Sequence, residues 1–179
     1  MSESENPVYL LTITGPDQSG VVADITNYLF EIGGNLADTA FAVLGQGFEY
    51  SGVTIFTEPK SISEITDGLA AIKSITGARI TLDPFPYDLM RNEVGDITHV
   101  IEFVGGDRPG LVAGMASELS VYNANIVRMN SRRVQLEGGG QGYRTRFAVN
   151  IPAERATVCG NALSNLAGSL DLKCTVEPQ

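Results

Sequence analysis

The chain has 179 residues, 43% of them hydrophobic and 18% charged, enough for one ordinary domain or two small ones and too apolar for wholesale disorder. Its net charge of −9 disfavours direct binding to a phosphate backbone. No apolar run approaches the ~20 residues that span a bilayer, the acidic N-terminus lacks a signal-peptide pattern, and two cysteines fit a reduced cytoplasmic protein.

Val8 to Thr14 is β-rich and bounded by Gly15, so it reads as a strand. Val21, Ile25, Leu29 and Ile32 then share one helical face. Two strands follow, about 35–44 and 47–57, joined at Gly45-Gln46-Gly47. Ser61-Ile62-Ser63-Glu64 has the form of a capping box and opens a helix with Ile62, Ile65, Leu69 and Ile72 inward. A short strand, Ala78 to Leu82, ends this half. Two prolines in Asp83-Pro84-Phe85-Pro86 argue for a semi-rigid linker over 83–96, with Phe85, Tyr87, Leu89 and Met90 packing on a domain.

The same order then returns. Residues 15–23, Gly-Pro-Asp-Gln-Ser-Gly-Val-Val-Ala, reappear at an offset of 90 as Gly-Gly-Asp-Arg-Pro-Gly-Leu-Val-Ala. Seven of 23 positions are identical between 15–37 and 105–127, and about five extra residues precede the second Gly-Gln-Gly turn. The second copy comprises a strand over 97–104 and a helix with Leu111, Met115, Leu119 and Tyr122 inward, its first turn begun by Pro109. Strands over 125–136 and 141–151 come next, then a helix with Ala156, Cys159, Leu163 and Leu166 inward and a strand over 170–176. The expected fold class is α+β. Each copy, 1–82 and 97–179, is a βαββαβ unit with a four-stranded antiparallel sheet and two helices on one face.

In each copy the glycine-rich loop after the first strand feeds a helix N-terminus, where free N–H groups and the dipole favour an anion such as a carboxylate. Asp17 and Asp107 read either as helix N-caps or as acceptors for a ligand ammonium. Asn35 and Asn125 read either as turn residues or as amides that can donate to a carboxylate and accept from an amine. Arg128, Arg132, Arg133, Arg144 and Arg146 cluster on the second hairpin, as a solvated face or a docking surface for an acidic partner. Val53 and Ile55 give the first copy a second apolar face, which points to an interface with another copy of the chain.

The loop Gly-x-Asp-x-x-Gly-hydrophobic-Val-Ala, the Asn some fifteen residues later and the βαββαβ order resemble the ACT domain. Gly105-Gly-Asp-Arg-Pro-Gly110 is an especially close match, and Gln18-Ser19 stands where Arg-Pro is commoner. Two such copies and nothing else resemble the glycine cleavage system transcriptional repressor group of tandem ACT proteins. The resemblance implies two ferredoxin-like domains and a non-catalytic regulatory protein that binds a small ligand, an amino acid, and modulates a regulatory protein partner. It implies a ligand site at Asp17, Gln18, Gly20 and Asn35 in the first copy, and at Asp107, Arg108, Gly110 and Asn125 in the second. It also implies a cytoplasmic homo-oligomer without a cofactor, a membrane anchor or direct nucleic-acid contact.

The remaining chemistry is sparse. His99 is the lone histidine, so neither a metal site nor a histidine-based triad can be assembled, and Cys159 and Cys174 read as small core residues. Two alternatives stay open: a ligand-free assembly module, or an acylphosphatase-like enzyme built on Arg108 and Asn125. Residues 1–89 hold 3 basic and 12 acidic side chains, so the first half carries the whole charge imbalance.

Overall fold

In the computed structural model, which describes residues 6–90 and 92–179, the chain divides between Leu89 and Met90 into two units. The first contains β1 (Val8–Pro16), α1 (Val21–Glu31), β2 (Gly34–Leu44), β3 (Gly47–Phe56), α2 (Ile62–Ala70) and β4 (Arg79–Pro84). The second contains β5 (His99–Gly106), α3 (Leu111–Val121), β6 (Asn125–Gln135), β7 (Gln141–Asn150), α4 (Ala156–Ser169) and β8 (Leu172–Pro178). Each unit is an antiparallel four-stranded sheet, ordered β2-β3-β1-β4 and β6-β7-β5-β8, with a βαββαβ layout.

Alternation along the strands decides which side chains meet the helices. In the first unit Leu11 and Ile13 of β1 and Phe48, Tyr50 and Phe56 of β3 pack on Ile25, Leu29, Ile65 and Leu69. In the second, Ile101, Phe103, Phe147 and Val149 pack on Met115, Leu119, Cys159 and Leu163. Among the described residues, the helices of each unit pack on this one face of its own sheet.

Several expectations change at the helix ends. Ile62 is 44% exposed because it opens α2, ahead of the turn that meets the core. In α4 it is Ala167 that is buried, with Leu166 displaced to the margin of the core. Neither Asp17 nor Asp107 caps a helix. Gly20 and Gly110 occupy the cap positions, at φ 94 and 85, without a side-chain bond. Pro109 precedes that cap and so lies outside the helix. β4 runs on through Pro84. Beyond it, Phe85 and Tyr87 stack edge to face, yet Tyr87 is 72% and Met90 81% exposed.

The extra residues of the second hairpin fall mostly in its turn. Leu44 pairs with Gly47 across two residues, with Gly45 at φ 66, whereas Gln135 pairs with Gln141 across a five-residue loop. Both second strands carry a bulge near their start, at Leu36/Thr39 in β2 and at Ile126/Arg128 in β6.

Candidate functional site

In the first unit the chain leaves β1 at Pro16 and enters α1 at Val21. Gly20 makes that entry in the left-handed region, which L side chains rarely adopt. Two bonds fix the loop. The Asp17 amide donates to the Gln46 carbonyl at 2.9 Å, and Gln18 Nε2 donates to the Ser74 carbonyl at 2.5 Å. Asp24 lies in the first turn of α1 and brings a carboxylate to the positive end of the helix.

The second unit keeps this backbone and changes the charges. Gly114 stands where the first unit has Asp24, so no acidic residue lies in the first turn of α3. A hollow of about 440 Å³ opens at this N-terminus, lined by Asp107, Arg108, Gly110, Leu111, Arg133 and Tyr143. Arg133 Nε lies 3.7 Å from Asp107 Oδ2, and Arg108 Nη2 lies 3.6 Å from Asp171 Oδ2. These are solvent-screened pairs, each worth about 0–1 kcal/mol, so a ligand can exchange for them at little cost. The hollow thus brings two guanidiniums and the Asp107 carboxylate to a helix N-terminus that no side chain caps, with Asp171 beside Arg108 outside its lining. That arrangement suits a zwitterion, with carboxylate toward the helix end and the arginines and ammonium toward Asp107.

Three of the four expected residues of the second copy therefore converge: Asp107, Arg108 and Gly110. Asn125 does not. It begins β6, about eight residues and roughly 25 Å of strand from Arg133. Its Nδ2 donates to the Val94 carbonyl at 2.7 Å, while Asn150 Nδ2 donates to the Glu93 and Asp96 carbonyls at 3.0 Å each. The pair anchors a turn at Glu93–Gly95. Asn35 is the second residue of β2, paired with Ile55, at the end of the sheet away from the Asp17–Gly20 loop. Arg108 and Asn125 are too far apart within the unit to share one substrate phosphate, which removes the basis of the acylphosphatase-like alternative.

Arg133 and Tyr143 belong to the hollow and were not among the expected site residues. They are cross-strand partners on the helix side of the sheet. Only the register set by the β6 bulge brings Arg133 there.

His99 Nδ1 lies 3.0 Å from Thr98 Oγ1, at the start of the central strand β5. Among the described residues no group of three His, Cys, Asp or Glu side chains could hold a metal, and no helix is long and apolar enough to cross a membrane. Cys159 and Cys174 are free thiols.

The family model for the ACT domain matches residues 8–53, which span β1 to most of β3. The match lies in the first unit, and both units have the βαββαβ layout of a ferredoxin-like ACT fold. An unknown protein from Galdieria sulphuraria has a similar crystal structure, with a TM-score of 0.76 at 19% identity over 98% of this chain and 99% of that one. The crystal structure of a candidate glycine cleavage system transcriptional repressor is also similar, with a TM-score of 0.66 at 12% identity over 97% of this chain and 98% of that one. At these identities the likeness concerns the fold. No curated protein sequence matches the chain. The ACT match covers the loop and helix of the first unit, and the second unit repeats both.

Proposed function

We propose that this tandem ACT protein is a non-catalytic, cytoplasmic regulator that binds a free amino acid in its second unit and modulates a partner protein. The observation that carries this reading is the hollow at the start of α3, where Asp107, Arg108 and Arg133 surround a helix N-terminus that no side chain caps. Its charges complement both ends of an amino acid. The corresponding loop of the first unit, Asp17, Gln18 and Gly20, is the weaker site, because Asp24 opposes a ligand carboxylate and Gln18 is held by Ser74. Asn125 serves to anchor Val94.

The fold shared with a candidate transcriptional repressor supports a role in transcriptional control of amino-acid metabolism. A net charge of −9 favours acting there through a protein partner rather than on DNA. Self-association is part of the same proposal. β2 is a long edge strand whose outer end exposes Phe41, Val43 and Leu44, an invitation to pairing unless another strand covers it.

The test is thermal stabilisation by each of the twenty amino acids. At 100 times its Kd a ligand adds about 2.7 kcal/mol to stability. At least one amino acid is expected to raise the melting temperature, with the effect lost in Asp107→Ala and Arg108→Ala and kept in Gln18→Ala. Stabilisation by none of the twenty, or an unchanged response in Asp107→Ala, overturns the assignment.

A further inference from the structure

The face of the second sheet opposite its own helices carries a different kind of site. Cross-strand register places Arg128, Asn130 and Arg132 of β6 beside Ala148, Arg146 and Arg144 of β7. The bulge between Ile126 and Arg128 is what puts Arg128 there. Ile126 pairs with Val149 on the core side, and without the extra residue Arg128 would follow it to the helix side. The bulge thus delivers a second guanidinium diagonal to Arg146 across the strand pair.

Between them lies a hollow of about 550 Å³. Val100 and Ala148, both nearly buried, form its floor, and Arg128, Asn130, Arg146 and Gln179 form its rim. The small Ala148 directly opposite Arg128 leaves the space. The arginines of this face differ in their company. Arg144 Nε lies 3.6 Å from Glu102 Oε1, a charge contact without a hydrogen bond. Among the described residues neither Arg128 nor Arg146 has a carboxylate within ion-pair distance, although Glu102 and Glu177 border a smaller hollow beside Arg146. The first unit has nothing equivalent, since Ser51 and Val53 stand in the places of Arg146 and Ala148.

We propose that this face is a second ligand site, separate from the loop hollow, and that it takes a small dianion: a phosphate monoester or a dicarboxylate. Among the described residues Arg128 and Arg146 make no ion pair within 4.0 Å, although Glu102 is the cross-strand partner of Arg146, and each offers a planar fork to an oxyanion. The Asn130 amide adds a donor and an acceptor, and the Val100–Ala148 floor accepts an apolar body.

Calorimetric titration of the full chain with inorganic phosphate, pyrophosphate and succinate at fixed ionic strength tests this. Saturable binding of at least one of them is expected, with a Kd of about 1 mM or tighter. Arg128→Gln or Arg146→Gln weakens it at least about tenfold, as loss of a charge-assisted bond requires. Arg133→Gln, in the loop hollow, leaves it unchanged, and the Arg128→Gln/Arg146→Gln variant keeps its thermal response to amino acids. Preference for phosphate or pyrophosphate identifies the phosphate ester, and preference for succinate the dicarboxylate. Absence of saturable binding of all three overturns the proposal. So does a double variant that binds them as the parent does, or one that loses self-association while anion binding persists.

Discussion

Gly68 lies where α2 passes Tyr28 of α1, and a Cβ there would fall 1.9 Å from the tyrosine oxygen. The hydroxyl donates toward the Glu64 and Ile65 carbonyls at 3.3 and 3.4 Å. The second unit has Glu118 and Ala162 at the corresponding positions, so the large–small pairing is replaced as a set. A Gly68→Ala change gains about 1 kcal/mol of helix propensity but must expel the ring, an overpacking cost of about 1–3 kcal/mol. Net destabilisation is expected, and in a Tyr28→Ala background the same change should stabilise. A double-mutant cycle by urea denaturation measures this coupling, and strict additivity would refute it. Tyr50 and Gly52 form a second such pair, with 2.8 Å between the tyrosine oxygen and a Cβ at Gly52. The second unit has Thr145 and Phe147 there, and Thr145 Oγ1 accepts from Ser131 at 2.9 Å. The Tyr50 hydroxyl is buried, and no hydrogen bond of good geometry joins it to Thr39 nearby. Tyr50→Phe should therefore be neutral or stabilising by up to about 1 kcal/mol, whereas Gly52→Ala should cost about 1–3 kcal/mol.

At the scale of elements, the four helices start in different ways. α2 is capped by Ser61, whose Oγ accepts from the Glu64 amide at 3.1 Å. Ser61→Ala should cost about 1 kcal/mol, read as a lower urea midpoint. α1 and α3 start at left-handed glycines whose N-terminal groups have no side-chain acceptor, which is the vacancy a ligand carboxylate can fill. Gly110→Ala should cost about 1–2 kcal/mol through backbone strain and also weaken amino-acid binding. The Ser61 cap and the order of all eight strands and four helices are legible in the sequence, because each rests on spacing within a few residues and the order is written twice. The hollow is legible only in part. Asp107, Arg108 and Gly110 are contiguous, whereas Arg133 and Tyr143 reach them through strand register. A one-residue bulge, which no local pattern announces, reverses the face of every later residue of β6. The same bulge separates Arg133, beside Asp107, from Arg128 and Arg132 on the opposite face.

For the whole molecule, burial holds the proton on two phenols of the first unit and two thiols of the second. Burial pushes the Cys159 thiol up from its ordinary value, and Glu118 adds to the shift. Burial raises Cys174 as well. Burial raises Tyr50 against a smaller opposing effect of Thr39, and raises Tyr28 with help from Glu64 and Asp67. All four are acids whose proton is held more tightly in the folded chain. Their contribution to stability is therefore complete below the unfolded values, 9.0 for the thiols and 10.0 for the phenols, and is lost as pH rises toward the folded ones. Each buried thiol can contribute a slope of at most about 1.4 kcal/mol per pH unit within its own window. The urea midpoint should hold level with respect to these groups up to about pH 8.5 and decline above it. Cys159→Ala should lower the midpoint at neutral pH by leaving a cavity, yet flatten that decline. The slope, rather than the midpoint, separates titration from packing. A Cys159→Ala decline as steep as that of the parent would show that the thiol proton is not held by the fold.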